Sequence, residues 1–384
     1  MNTLSDVAPN TQFLGNATNV NWVSEGVPVV YQNDSILLTM AEGTAGTLLS
    51  STHFVWYGKV SATMRTSAGG GVVTAFIMQS NVRDEIDFEF VGADLQHVQS
   101  NWYWQGALNY TNSANLTAAN SNMETHTYTF DWQPDHIDWL VDGQILRTVR
   151  AIDTFNETTQ VYQFPQTPSR VMLSLWPAGS AGNGDGTINW AGGLIDWNSP
   201  YMANGYFYAQ ILDINVECYN PAPGANVTGS GAYTYNAASG LNSSVAITND
   251  QTVLGSFFAT GENIGYNPDA AASSSSSASA AGHKTTSTGS AFAYATSGVN
   301  TVPGSVGAGT NPGSSDGGNL IGSGGSGGNG GTGTGTSSGS GSTESGIGGF
   351  YQGTEASATN DAQTSRGGAS LFAVVVAVVV AMSF

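Results

Sequence analysis

The sequence predicts an all-β protein, an antiparallel β-sandwich or jelly roll, followed by a disordered Ser/Gly-rich tail. Three observations carry this. From about Thr11 to Asn220 the chain reads as short apolar or alternating runs broken by Gly, Asn, Asp and Pro turns. Few stretches hold a 3.6-residue period, so helix should be minor. The chain also has 51 glycines in its 384 residues, many of them in a Ser/Gly/Ala tail that cannot bury enough apolar surface to offset ordering entropy.

The clearest strand candidates, in order, are Ser35 to Met40, Gly58 to Met64, Val72 to Met78, Glu85 to Phe90, and Ile137 to Val141 before the Asp142-Gly143 turn. Trp132 and Trp139 fall in the strand and turn region ahead of that turn and are assigned to the core. Residues 1–220 therefore form one large two-sheet domain. The pattern decays after Pro221-Ala222-Pro223-Gly224, so residues 221–268 are expected to be a weakly structured linker. Residues 269–359 read as a flexible, O-glycosylated stalk.

Residues 360–384 resemble a glycosylphosphatidylinositol (GPI) attachment signal that is removed. Small residues at Asn360-Asp361-Ala362 precede a polar spacer from Gln363 to Gly368, and an uncharged run from Ala369 to Phe384 follows. That run is short against the roughly 20 residues of a spanning helix. Asn360 is the expected anchored residue, with Gly367 as the alternative. An anchor of this kind requires entry into the secretory pathway, yet Met1 to Ala8 has neither a basic nor an apolar segment. A signal peptide is therefore expected upstream of Met1. Sequons at Asn16, Asn33, Asn109, Asn115, Asn156, Asn226 and Asn242 suit a glycosylated surface protein. The lone Cys218 has either lost a disulfide partner or is a buried free thiol.

Charge narrows the ligand. With Lys+Arg 8 against Asp+Glu 27 the net charge is −19, which excludes partners held through their phosphates, nucleic acid above all. Only 9% of residues are charged while Trp, Tyr and Phe are plentiful, so a neutral, hydroxyl-rich ligand such as carbohydrate fits better.

The most informative segment is Asp84-Glu85-Ile86-Asp87-Phe88-Glu89-Phe90. On a strand Glu85, Asp87 and Glu89 share one face, and Ile86, Phe88 and Phe90 share the other. Acids are poor strand formers and repel along one face, so folding alone gives no reason for the row. An edge strand kept soluble by its acids is the bland alternative. Retaining glycoside cleavage supplies a chemical reason, since it needs an ionised nucleophile beside a protonated acid. Repulsion would keep Glu89 protonated, and Asp87 would share a proton or hydrogen bond with Glu85. Cα atoms four residues apart on a strand lie about 13 Å apart. Retaining carboxyl pairs lie roughly 5–5.5 Å apart. The row therefore needs a concave sheet. No cofactor or metal is expected, because the nearby His97 is an unsupported imidazole that reads as a satisfied core histidine.

Glu85-Ile86-Asp87-Phe88-Glu89 matches the Glu-x-Asp-x-Glu signature of glycoside hydrolase family 16. The surrounding sequence resembles the fungal Crh-type cell-wall transglycosylases. The similarity runs through Tyr57-Gly58-Lys59-Val60, Gly71 to Ser80, Val91-Gly92, Leu95 to Tyr103, Asp142-Gly143, Phe164 to Pro168 and Gly186 to Gly193. The resemblance implies a concanavalin-like jelly roll with a concave substrate cleft and a retaining mechanism. It also implies a chitin donor joined to a β-glucan acceptor. By motif position it makes Glu85 the nucleophile, Asp87 the assisting acid and Glu89 the general acid/base. Arg83, Asn101, Tyr103, Trp176 and Trp190 are similar to cleft-lining, substrate-binding positions, although either tryptophan could equally be core. The expected protein is a monomer at the cell surface or in the cell wall, GPI-anchored to the plasma membrane. Plain hydrolysis of chitin or β-1,3-glucan by the same residues is the first alternative, and a non-catalytic sugar-binding wall protein the second.

Overall fold

Two β-sheets face each other in the computed structural model, which describes residues 4–32, 35–260 and 263–270. The eight-stranded sheet runs β1 (Val7–Pro9), β2 (Trp22–Glu25), β5 (Thr47–Val55), β16 (Ser169–Trp176), β7 (Val73–Ser80), β8 (Glu85–Val91), β9 (His97–Tyr103) and β10 (Ala114–Thr117). The seven-stranded sheet runs β13 (Gln144–Arg150), β12 (His136–Val141), β11 (His126–Trp132), β6 (Gly58–Arg65), β17 (Tyr206–Cys218), β4 (Ser35–Ala41) and β3 (Val29–Tyr31). A small hairpin, β14 (Phe155–Asn156) with β15 (Val161–Tyr162), lies between them in sequence. Each strand expected from the pattern is present. Among the described residues helix is confined to short pieces such as α1 (Asp185–Trp190).

Alternation explains how the sheets hold together. Ile86, Phe88 and Phe90 of β8 point into the sandwich, where Phe88 stacks on Phe130 at 4.9 Å and Phe90 meets Tyr128 edge-on at 4.6 Å. Phe76 of β7 packs on Phe130 at 4.6 Å. These rings fill the space between the sheets and fix the register of β8, because a slip of one residue would bring its acids into the core. Trp132 and Trp139 are fully buried, as expected, and each finds an acceptor for its indole N–H, Pro165 O at 3.1 Å and Asp87 O at 2.9 Å.

β8 is not an edge strand: it pairs with β7 on one side and β9 on the other. That removes the solubility explanation for its acids. The face of this sheet turned away from the sandwich core is itself sheltered. Ala75, Ile77, Asp87, Asn101 and Ser174 lie on it and all are buried. The sheet is therefore covered on this side and not open to solvent.

The structure corrects three expectations. Residues 221–268 are not a weakly structured linker: β18 (Asn226–Val227), β20 (Val245–Thr248) and β19 (Ala232–Tyr235) form a third sheet. Tyr233, Val245 and Ile247 join the main core, and Tyr233 sets its ring edge-on to Trp56 at 6.0 Å. Cys218 is an exposed free thiol at the end of β17, not a buried one. His97 is exposed and paired with Asp94 at 3.0 Å, not a core histidine.

Of the sequons, Asn109, Asn115 and Asn226 are exposed, and Asn16, Asn156 and Asn242 partly so; Asn33 lies outside the described residues. The stalk beyond residue 270, Asn360, Gly367 and the C-terminal apolar run also lie outside them. Among the described residues no helix is long and apolar enough to cross a membrane.

Candidate active site

The three acids lie along this sheltered face, on β8 between β7 and β9. Cross-strand register places Gln79 and Tyr103 beside Glu85, Ile77 and Asn101 beside Asp87, and Ala75 and Gln99 beside Glu89. Glu85 is half-buried, Asp87 fully buried and Glu89 nearly so. Gln79 Nε2 donates to Glu85 Oε2 at 2.5 Å. Burial raises the Glu85 pKa, while hydrogen bonds from Asp87 and Gln79 pull it back toward the ionised form.

Of the three acids, Asp87 is the one that burial and its neighbours push hardest toward the neutral form. Counted as a carboxylate, neither of its oxygens has a donor among the described residues. Its side chain meets Glu85, and two acids can bond only through a proton that one of them holds. Burial pushes the Asp87 pKa well above the carboxylate range, and the charges of Glu85 and Glu89 push it further. A neutral Asp87 donating to an ionised Glu85 satisfies both groups. Glu85 and Asp87 therefore titrate as a pair, with the charge of Glu89 acting on Asp87.

Tyr103 completes the Glu85 end. Burial first, and then the neighbouring acidic row, raise its pKa, so the phenol stays protonated. Its oxygen accepts from Asn101 Nδ2 at 2.8 Å, which leaves its own proton to donate into the cleft. Asn101 Oδ1 takes the Trp102 N–H at 2.9 Å. On the far side of β8, Trp139 reaches from the second sheet to the Asp87 carbonyl and pins the middle of the acidic row.

At the Glu89 end the floor is aromatic. Trp176, at the end of β16, stacks on Trp190 of α1 with centroids 6.1 Å apart. Trp190 Nε1 donates to Gln99 Oε1 at 2.8 Å, beside Glu89. Trp176 is buried with Val73, Val91, Ala178 and Ala191, while Trp190 remains partly exposed. Trp190 is thus the more exposed ring of the pair and Trp176 the buried one. Arg83 sits apart from both, exposed in the turn before β8 with φ 67, its carbonyl accepting from Gly106 N–H at 2.8 Å.

The structure brings together Glu85, Asp87, Glu89, Asn101, Tyr103, Trp176 and Trp190, and adds Gln79, Gln99 and Trp139, which sequence reasoning missed. For Gln79 a signal existed: folding the chain about the turn between Ser80 and Asp84 sets it opposite Glu85.

Residues 16–192 match the profile of Glycosyl hydrolases family 16. Crh-like protein 2 of Aspergillus fumigatus is 47% identical over 320 residues, covering 82% of this chain and 68% of that protein. The chain belongs to family 16, in its Crh-like branch. Membership makes it a glycoside hydrolase or transglycosylase. Crh-like protein 3 of Botryotinia fuckeliana is 49% identical over 264 residues, and Congo red hypersensitive protein 2 of Saccharomyces cerevisiae 44% over 267. These two alignments cover 68% and 69% of this chain but only 59% and 56% of those two proteins. Among solved structures, the apo form of a Crh5 transglycosylase aligns with TM-score 0.52 at 30% identity, over 59% of this chain and 87% of that one. The same enzyme in complex with NAG aligns equally well, over 61% and 90%.

Proposed function

We propose that this chain is a retaining cell-wall transglycosylase that cleaves β-1,4-linked chitin and transfers the released end to β-glucan through a glycosyl-enzyme on Glu85. The observation that carries the reading is the buried acidic row, in which a protonated Asp87 supports an ionised Glu85 while Glu89 stands two residues further along the same face. The Glu85 carboxylate attacks the anomeric carbon as the bond to the leaving oxygen breaks, and Glu89 gives that oxygen its proton. An acceptor hydroxyl then attacks the same carbon, Glu89 takes the hydroxyl proton, and Glu85 leaves as a carboxylate. Asp87 keeps its proton against Glu85 and weakens as a donor while the ester exists.

Sugar binding is assigned to Trp190 by stacking, with Trp176 behind it, to Tyr103 and Asn101 by hydrogen bonds, and to Arg83 at the rim. The NAG complex of the Crh5 relative supports a donor built from that sugar, as chitin is. On this reading the enzyme is a monomer without cofactor or metal, held at the cell surface by a GPI anchor at Asn360 and carried on the 269–359 stalk. Its sequons accept N-glycans. Incubation with chitin oligomers and a labelled glucan oligomer tests the proposal. Labelled products longer than the acceptor are expected; shortened chitin fragments with no hybrids would leave plain hydrolysis.

A further inference from the structure

Asp84 stands one residue before Glu85 and takes no part in the chemistry just described. By strand alternation its side chain turns away from the cleft, and it is fully buried. A buried acid is costly unless its oxygens are satisfied. Here three donors converge on it. Oδ1 accepts from Gln105 N–H at 3.0 Å, and Oδ2 accepts from Gln166 N–H at 2.9 Å and Thr167 Oγ1 at 2.6 Å. Its main chain is clamped as well, the N–H donating to Ser80 Oγ and the carbonyl accepting from Ser80 N–H, both at 2.9 Å.

The sources of these donors matter. Ser80 ends β7, Asp84 precedes β8, Gln105 follows β9, and Gln166 and Thr167 precede β16. In the sheet β16, β7, β8 and β9 are four consecutive neighbours, the strands that form the cleft floor. The Asp84 carboxylate ties the ends of β9 and β16 to the start of β8, and its main chain ties in the end of β7, so one residue gathers the same end of all four, the end at which Glu85 sits.

The hub reaches further. Gln105 Nε2 donates to Ser239 O at 2.8 Å and Gly240 O at 3.1 Å, and Gln166 Oε1 accepts from Asn242 N–H at 3.2 Å. These residues lie in the connection from β19 to β20. Gly240 has φ 61, and a Cβ there would lie 2.9 Å from Gln105 Nε2 and 3.3 Å from Val82 Cγ1. The connection is shaped to lie against this corner of the floor.

We infer that Asp84 is a positioning residue for Glu85, locking four strand ends and the C-terminal sheet into one unit that fixes the Glu85 backbone. The inference rests on Glu85 being the nucleophile. Misplacing a reacting group by an ångström costs about 100-fold in rate, so a hub that holds this backbone still should be visible in kcat.

The test compares three variants of the full chain: Asp84→Asn, the double variant Gln105→Ala with Gln166→Ala, and Glu85→Gln. The amide of Asp84→Asn turns a donor toward donors. The double variant cuts the ties to Ser239, Gly240 and Asn242 but keeps the backbone N–H groups that serve Asp84. Both are expected to lower kcat by about 10- to 100-fold per folded molecule with KM within about threefold. Asp84→Asn should also move the acid limb of the kcat/KM profile, because Glu85 ionises according to its contacts with Gln79 and Asp87. A lowered melting temperature with wild-type kcat and acid limb in the folded fraction would overturn the inference. If Asp84→Asn yields no folded protein, Thr167→Val, which removes the side-chain donor to Asp84 Oδ2, decides in its place, wild-type kcat overturning the inference and reduced kcat supporting it. Retained turnover in Glu85→Gln would sink the nucleophile assignment and the inference with it. An inactive Glu85→Gln beside an unaffected Asp84→Asn would sink only the positioning role.

Discussion

The two ends of the acidic row carry the same residue type in unlike surroundings. At one end Glu85 accepts from Gln79, meets Asp87, whose pKa burial raises well above its ordinary value, and lies beside Tyr103 on a backbone tied down by Asp84. At the other end Glu89 has Gln99 as cross-strand neighbour and, through it, the Trp190 and Trp176 stack. The first set consists of donors and suits a carboxylate that must stay ionised where water is scarce. The second offers an apolar face on which a sugar ring can lie. Two glutamates four residues apart can thus hold different roles because the neighbouring strands differ, and the strand itself need not distinguish them.

The sharpest way to break this comparison is to remove each glutamate and vary the leaving group. Glu85→Gln should cut turnover by roughly a thousandfold or more on every substrate, since no ester can form. Glu89→Gln should do comparable damage on oligosaccharides but far less on aryl glycosides with acidic phenols, which leave without a proton. Kinetics on two aryl leaving groups of different acidity check this. Equal losses for both in Glu89→Gln would remove the distinction between the ends.

A smaller effect sharpens the aromatic end. Trp190→Ala should raise KM about tenfold with kcat nearly unchanged, because a stacked ring binds ground and transition states alike. Steady-state kinetics on chitin oligomers measure it. A fall in kcat at constant KM would mean that the ring acts on the chemistry rather than on the sugar.

The acidic strand was legible because strand alternation and the chemistry of paired acids point the same way, and burial of Ile86, Phe88 and Phe90 follows from the same alternation. Burial of Trp132 and Trp139 was legible for similar reasons. What stayed hidden depends on contacts far apart in sequence. Asp84 finds its donors at Gln105, Gln166 and Thr167, the last of them 83 residues away. Read on its own it is an acid at an inward position with no visible reason. The sheet from Asn226 to Thr248 was missed because its strands are two to four residues long, too short for periodicity, and they gain their burial from Trp56 and the main core. The exposure of Cys218 was equally unreadable, since it depends on where β17 leaves the sandwich.

The smallest expected effect concerns stability, and it tests the proton placed on Asp87. Glu85, Asp87 and Asp84 all have folded-state pKa values raised by burial, Asp84 to about 6 and Asp87 well above its ordinary 3.8. A raised folded pKa stabilises the protein fully below the unfolded value and loses that contribution as pH climbs through the folded value. These three acids therefore make stability fall from about pH 4 upward, with the Asp84 part complete near pH 6 and the Asp87 part extending higher. Asp87→Asn removes one of these contributions, because an amide can donate to Glu85 without ever ionising. The melting temperature of Asp87→Asn minus that of the wild type should rise between pH 4 and pH 8, by about 2–4 °C for each kcal/mol recovered in a domain of this size. Thermal melts across that range, with turnover measured on the same samples, give the answer. Activity should fall while the difference grows. A difference that is flat or shrinks with pH would mean that Asp87 is ionised in the folded protein and that Glu85 stands beside a charge instead of a donor.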